Sequence, residues 1–202
     1  DTVVYNSVME ANARLGLVWK AEEWWSHMQR AGVTPDGRTY NILISACARV
    51  GCIDRAEYWL RHLERSGPKA DPGAYGCMLH ACAKAGHPEQ AFWWADEMTR
   101  LGMTPTVVAC NAVLCAYVRA RDSEGALAWL KRMTGDGVAP DKATHLGIIE
   151  AFAGAGDRPR AEASVANMIL EGFPADNDAF LRLARGIGRL NDGEAGEEDF
   201  YA

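Results

Sequence analysis

The stretch that decides the fold is residues 37–71, which read GRTYNILISACARVGCIDRAEYWLRHLERSGPKAD. Its pattern of small, apolar and acidic residues recurs every 35 positions along the chain. A period of this length is typical of a repeat protein, in which each unit packs only on its neighbours. Five columns carry the repeat, and in this unit they are Gly51, Ala56, Leu63, Gly67 and Asp71.

Five complete units fit the period, and a sixth begins before the pattern dissolves. The predicted repeats are 2–36, 37–71, 72–106, 107–141 and 142–176, followed by a partial repeat over 177–190 and an acidic tail or linker over 191–202.

Each unit predicts two α-helices, because apolar residues recur at helical spacing in both of its halves. In 37–71 one stripe contains Tyr40 and Leu43, and the other contains Ala56 and Leu60. The glycine between the stripes stands where a left-handed residue can end the first helix. A helical hairpin of this size cannot bury its own apolar face, so neighbouring hairpins must stack on it. The sequence therefore predicts an all-α fold, a right-handed α-solenoid (superhelix) of helix-turn-helix hairpins.

Composition and charge exclude several classes of protein. About half of the residues are apolar (49%), but no stretch is long enough to cross a membrane, so we expect no membrane role. The net charge of −6 is mostly local, since five acidic residues and no basic residue follow Asn191. The rest of the chain carries 22 acidic residues against 21 basic residues. This near-neutral balance leaves binding to a polyanion open.

No motif in the chain predicts catalysis, a metal or another cofactor. Cys110 and Cys115 are five residues apart, so on a helix they point about 140° away from each other and cannot share one ion. The six cysteines are therefore interpreted as reduced, small apolar residues. The run His87-Pro88-Glu89 lacks the cysteine motif that a zinc deaminase needs. We expect no catalytic residue and no small-molecule substrate.

The repeat columns resemble those of the pentatricopeptide repeat family over about 175 of the 202 residues. The residues that carry the resemblance are Val3-Val4-Tyr5-Asn6, Thr39-Tyr40-Asn41-Ile42-Leu43-Ile44, Met28, Gly32, the Gly51 to Ala56 spacing, Pro35-Asp36 and Pro140-Asp141. The resemblance implies sequence-selective binding of single-stranded RNA, with one nucleotide per repeat lying along the first helices.

In this family the fifth residue of a repeat touches the base edge, and the last residue of the repeat assists it. An amide offers both donors and an acceptor to a base, whereas a carboxylate only accepts and can orient the amide. The base-reading pairs are then Asn6 with Asp36, Asn41 with Asp71, Gly76 with Thr106, Asn111 with Asp141, and Leu146 with Asp176. Since Asn with Asp implies uracil, the expected footprint is U, U, any, U, any.

Two further columns are implied to contact the strand. The second residue of each repeat clamps the base with an apolar face. Val3 and Val108 fit this role and Arg38 could stack its guanidinium on a base, whereas Gly73 and Ala143 do not fit. A basic residue near the end of four first helices forms a ladder that could follow phosphates. Its members are Arg14, Arg49, Lys84 and Arg119.

Plainer interpretations of these columns stay open. Asparagine near a helix start is often an N-cap, and basic residues near a helix C-terminus complement the helix dipole. The tryptophan column of the second helices indicates packing between second helices or a partner-protein surface. Its members are Trp24, Trp59, Trp94 and Trp129.

Three functions are consistent with the sequence. The first is sequence-selective RNA binding in organellar RNA metabolism (transcript stabilisation, processing or translation), without catalysis. The second is a structural protein-interaction scaffold in an organellar ribosome or another large complex. The third is the repeat portion of a larger RNA-processing enzyme. The family resemblance implies a mitochondrion or plastid, although the chain shows no targeting peptide.

Overall fold

The computed structural model describes residues 1–66 and 68–174, which contain ten α-helices and no β-strand. The helices are α1 (Thr2–Arg14), α2 (Val18–Arg30), α3 (Gly37–Val50), α4 (Ile53–Ser66), α5 (Pro72–Ala85), α6 (Pro88–Arg100), α7 (Val107–Arg119), α8 (Ser123–Gly135), α9 (Lys142–Gly154) and α10 (Arg158–Leu170). The odd-numbered helices are called first helices below, and the even-numbered helices are called second helices. The predicted partial repeat 177–190 and the tail 191–202 lie outside the described residues.

The starts of the first helices are 35 residues apart, and aspartate caps several of them. Asp36 accepts a hydrogen bond from the Thr39 N–H at 2.8 Å, and the Thr39 side chain accepts one from the Asp36 N–H, which completes a capping box. The first helix α3 ends at Gly51, whose φ of 75° is the left-handed conformation that glycine adopts without strain.

The chain divides into two compact units, residues 1–113 and 114–202. In the first unit, α1, α3 and α5 contact one another in series and form a layer of first helices. Each second helix packs on the first helix of its own hairpin, and α2 and α4 also contact the first helix that follows them. Every hairpin thus covers the apolar face of its neighbour, as a stacked array requires.

The repeat columns form the core. The alanine of each second helix is fully buried, which lets the first and second helices approach closely: Ala21, Ala56, Ala91, Ala126 and Ala161. The methionine or leucine column is at most 2% exposed: Met28, Leu63, Met98, Met133 and Met168.

Tryptophans join neighbouring second helices of the first unit. The ring of Trp59 on α4 lies 4.8 Å from that of Trp25 on α2, edge to face, and the Trp59 indole N–H donates to Glu22 Oε1 at 2.8 Å. Arg55 Nη2 donates to the other oxygen of Glu22, also at 2.8 Å. Burial opposes the charge of Glu22, but the hydrogen bonds from Arg55 and Trp59 outweigh it and lower its pKa. Glu22 therefore stays ionised and ties two repeats together.

In the described part of the second unit, α9 contacts both α8 and α10. Leu146 and Ile149 of α9 pack against Val165 and Met168 of α10, and Phe173 covers them. Among the described residues of both units, no helix has the length and hydropathy needed to cross a membrane.

Candidate nucleic-acid interface

The first repeat holds its asparagine in a closed hydrogen-bond network. Asn6 lies in the second turn of α1, and its Nδ2 donates to Asp36 Oδ1 at 3.1 Å. The Thr39 hydroxyl lies 2.8 Å from Asn6 Oδ1, so both ends of the amide have a partner. Burial opposes the charge of Asp36, but hydrogen bonds from Thr39 and Asn6 outweigh it and lower the pKa of the carboxyl. Asn6 is only 3% exposed.

The second repeat repeats the pair but leaves the amide less satisfied. Asn41 Nδ2 lies 3.3 and 3.4 Å from the two carboxylate oxygens of Asp71, which also caps α5 by accepting from the Ala74 N–H at 2.9 Å. Ala74 stands where Thr39 stands one repeat earlier, and it has no hydroxyl. As a result Asn41 Oδ1 is buried without a hydrogen-bond partner among the described residues. The Asn41 side chain as a whole is half-buried.

The N-cap interpretation is wrong for these two asparagines. Asp1 caps α1 and Asp36 caps α3, whereas Asn6 and Asn41 lie further along the same helices. Asp36 and Asp71 each have two roles, because one carboxylate caps a first helix and also accepts from the asparagine amide of the repeat before it. The N-cap role therefore belongs to the aspartates and not to the asparagines.

The other three predicted pairs differ from these two. Asn111 is half-buried on α7 in the first unit, while Asp141 caps α9 in the second unit. Gly76 faces open space, with no atom within 4 Å of where a Cβ would stand. Leu146 is 4% exposed and belongs to the core of the second unit. Asp176 lies outside the described residues.

The predicted clamping residues fall into two groups. Val3 and Val108 are 68% and 66% exposed in the first turns of their helices, so both present an apolar surface to solvent. Arg38 instead donates from Nη2 to Glu10 Oε2 at 2.9 Å. Its guanidinium must leave Glu10, or share it, before it can stack on a base.

The basic ladder is partly occupied by contacts within the protein. Arg14 Nη2 donates to Glu10 Oε1 at 2.7 Å, so one carboxylate binds both Arg14 and Arg38. The Lys84 ammonium donates to the carbonyl of Arg49 at the end of α3, as the helix-dipole interpretation expects. The Arg49 guanidinium itself forms no ion pair within the described residues, and it is exposed.

The charge of the molecule is divided between the two sets of helices. The second helices carry equal numbers of basic and acidic residues, whereas the first helices carry six basic and two acidic residues. The basic residues are Arg14, Arg38, Arg49, Lys84, Arg119 and Lys142, and the acidic residues are Glu10 and Glu150. Four aspartates cap first helices at their starts, so basic residues outnumber acidic ones only toward the C-terminal ends of these helices, and a polyanion is favoured there: Asp1, Asp36, Asp71 and Asp141.

Sequence reasoning missed two residues of this face, Glu10 and Thr39. Glu10 precedes Arg14 by four residues on one helix, a spacing that does predict an ion pair. Its contact with Arg38 depends on how α1 and α3 stack, and the sequence carries no signal for it. Thr39 follows Asp36 by three residues, which is a capping-box spacing, but its contact with Asn6 again needs the stacked repeats. The described residues contain no cluster of side chains able to hold a metal ion.

The hairpin stack and the asparagine–aspartate pairs define a class, the helical-repeat proteins that present polar side chains along their first helices. Family comparisons then identify the family. The sequence model of the PPR repeat family matches residues 1–49 and 105–154, and the model of the single PPR repeat matches 38–68 and 73–103. The chain belongs to the pentatricopeptide repeat (PPR) family, and the all-α solenoid prediction is confirmed.

Solved structures of PPR proteins share the fold. The pentatricopeptide repeat protein PPR10 from maize is 28% identical with a TM-score of 0.77, over 95% of this chain and 28% of that one. PPR10 in complex with an 18-nt psaJ RNA element matches at 22% identity and a TM-score of 0.69, over 100% of this chain and 29% of that one. The PPR domain of Arabidopsis thaliana protein-only RNase P 1, in complex with tRNA, matches at 13% identity and a TM-score of 0.73, over 93% of this chain and 98% of that one.

The chain spans a little over a quarter of the length of the maize protein. No curated protein sequence matches the chain.

Proposed function

We propose that this chain binds single-stranded RNA along its first helices, one nucleotide per repeat, and reads uracil at repeats 1, 2 and 4. The observation that carries the proposal is the contact of Asn6 with Asp36 and of Asn41 with Asp71, which recurs one repeat apart. Each contact orients an amide of the kind that hydrogen-bonds to a base edge: the half-buried Asn41 is accessible, whereas Asn6 must first open its network with Thr39. The PPR family, and the RNA present in the PPR10 and RNase P 1 structures, support the same function.

The surroundings of the pairs suit a nucleic-acid strand. The exposed Val3 and Val108 offer apolar surface against which a base can rest. The basic residues near the C-terminal ends of the first helices favour phosphates, with Arg49 the most available of the ladder and Arg14 shared with Glu10. Arg38, Lys84 and Arg119 complete the proposed set of contacts. The protein would act by holding RNA and not by catalysis, in a mitochondrion or plastid.

The test is a change of base preference at one nucleotide. Asn41→Thr should move the preference at the second nucleotide from U toward G, following the pattern of the family. Fluorescence anisotropy with labelled strands that differ only at that nucleotide measures it. Asn167→Thr, on the exposed face of the second helix α10, makes the same chemical change away from the proposed interface and should leave the preference unaltered.

An unchanged preference in Asn41→Thr would contradict base reading at this repeat. Absence of binding to U-rich, C-rich and A-rich strands at low salt, by a protein shown to be folded, would contradict RNA binding as a whole. The exposed aromatic rings of the second helices would then favour the scaffold function, since Trp19 is 61% exposed and Tyr58 is 50% exposed.

A further inference from the structure

A cavity of about 700 Å³ opens on the first-helix side of the first unit, between α3, α5 and the first turn of α7. It is of the size that proteins use for small ligands and nucleotides. The third repeat, which has no amide to read a base, contributes most of its wall. The residues that line it include Arg49, Gly73, Gly76, Cys77, His80 and Val108.

The cavity lies where the third repeat lacks two side chains. Gly73 occupies the clamping position, where the neighbouring repeats have Arg38 and Val108, and Gly76 occupies the reading position, where they have Asn41 and Asn111. A Cβ added at Gly76 would meet nothing within 4 Å. Gly73 also adjoins the Asn41–Asp71 pair, since its Cβ would stand 3.4 Å from Asn41 Nδ2. The cavity wall at Gly73 therefore borders the proposed site of the second nucleotide.

The lining combines groups that suit a base with groups that suit a phosphate. The His80 ring and the exposed Val108 offer flat and apolar surface. Cys77 is half-buried, and burial, followed by the nearby Asp71 carboxylate, raises the pKa of its thiol, so the thiol itself is uncharged at neutral pH. Lys84 and Arg49 stand at the same cavity, and the Arg49 guanidinium has no ion pair among the described residues.

We propose that the third repeat prefers a purine, taking the base of the third nucleotide into the space left by Gly73 and Gly76. The cavity is larger than any single base, so the preference comes from buried surface, because the two fused rings of a purine cover more of the His80 and Val108 wall than one pyrimidine ring does. The proposal rests on the RNA-binding function proposed above and deepens it. The footprint becomes U, U, purine, U, any, and the third repeat specifies a base although it has no reading side chain.

The experiment uses labelled strands in which uracils at nucleotides 1, 2 and 4 set the register. The third nucleotide is varied through adenine, guanine, cytosine, uracil and an abasic spacer. We expect both purines to bind at least fivefold more tightly than either pyrimidine, and the pyrimidines to bind about as tightly as the abasic strand. A strand with 2-aminopurine at the third nucleotide should change its fluorescence on binding, and one with 2-aminopurine at the fifth should not.

Gly76→Leu fills the cavity from a helix position that has room for a side chain. It should remove the purine preference while keeping the uracil preference at the second nucleotide. The matched control is Gly135→Leu, at another helical glycine with open space around it, on the second helix α8. Circular dichroism and thermal unfolding establish that both variants are folded.

Equal affinity for all five strands, with the uracil preference retained, overturns the purine site and leaves the proposed function standing. A purine preference that persists in Gly76→Leu also overturns it, because the preference must then arise elsewhere. Free AMP that competes as well as the adenine strand would overturn the assignment to a strand. Failure of every strand to bind refutes RNA binding itself, and the purine site with it.

Discussion

At the scale of single residues, Glu10 determines how much positive charge Arg14 and Arg38 present to a bound strand. Its two carboxylate oxygens accept from Arg14 on its own helix and from Arg38 on the next first helix. These two hydrogen bonds, that of Arg14 first, lower the pKa of Glu10, so the carboxylate is ionised at neutral pH and competes with any phosphate.

Glu10→Gln should therefore strengthen RNA binding. The substitution removes one negative charge and releases two guanidiniums from their ion pairs. We therefore expect affinity for a U-rich strand to rise about two- to fivefold at low salt. Fluorescence anisotropy measures this effect. Glu23→Gln removes the same charge from an exposed position on the second helix α2 and should change affinity much less. Equal effects of the two substitutions would show that Glu10 has no local role.

Asn41 Oδ1 lacks a partner in the described part of the chain because of one residue, Ala74, which has no hydroxyl. Ala74→Thr places a hydroxyl where Thr39 and Thr144 already fit at 0% and 1% exposure in their own repeats. Ala74→Val is the matched control, since it has the same shape without the hydroxyl. We expect the threonine variant to be more stable than the valine variant by about 1 kcal/mol in urea unfolding, because a buried acceptor gains a donor. Equal stability would mean that the hydroxyl does not reach Asn41.

At the scale of the elements, each hairpin depends on how its helices end. The turn after a first helix has glycine in four of the five repeats, with Gly16, Gly51, Gly86 and Gly156 all at positive φ. The fourth repeat has Arg121 there, at a φ of 56°, and it is the one residue other than glycine with positive φ in the described part of the chain. A side chain in this conformation carries a steric cost that glycine avoids.

Arg121→Gly should stabilise the protein by up to about 1 kcal/mol, because the relief of strain exceeds the added freedom of the unfolded chain. Thermal and urea unfolding measure the change. Lys131→Gly, at an exposed position inside α8, should instead cost about 1 kcal/mol, since glycine is a poor helix former there. A loss of stability in Arg121→Gly would show that the arginine side chain contributes more than its backbone costs.

At the scale of the whole molecule, the distribution of charge matters more than its sum. The net charge of −6 disfavours RNA, but four basic residues lie near the C-terminal ends of first helices, away from the aspartates that cap the starts of these helices: Arg14, Arg49, Lys84 and Arg119. Because charges more than about 10 Å apart are largely screened at 0.1 M salt, a phosphate near those ends feels mainly the basic residues. The five acidic residues after Asn191 account for most of the net charge.

Charge reversal on the two sets of helices should therefore have different effects. Four phosphate contacts predict a slope of roughly −3 for the logarithm of affinity against the logarithm of salt concentration. Reversing Arg49 and Lys84 to glutamate should make this slope shallower by about 1.4. Reversing Arg65 and Lys131, which are exposed on second helices, changes the net charge equally and should leave the slope near its original value. Identical slopes in the two double variants would contradict the assignment of the strand to the first helices.

The repeat, its two helices and its core columns could be predicted from the sequence, because they depend on local chemistry. Helical spacing of apolar residues, glycine at the turns and small residues at close contacts act within one hairpin, and the 35-residue period repeats them. The pairing of Asn6 with Asp36 also followed, although only through the resemblance to a family. The resemblance also assigned Arg38 to the clamping column, but the sequence did not predict its contact with Glu10.

Only the tertiary structure determined the contacts between residues about one repeat apart. Three features depend on the distance and rotation between stacked helices. They are the hydrogen bond of Thr39 to the Asn6 amide, the ion pair between Glu10 and Arg38, and the cavity at Gly73 and Gly76. A sequence column shows which residue type occupies a position, but not which atoms of the next repeat that residue contacts. Side-chain packing across the layer sets these contacts, and one methyl or hydroxyl group is enough to change them.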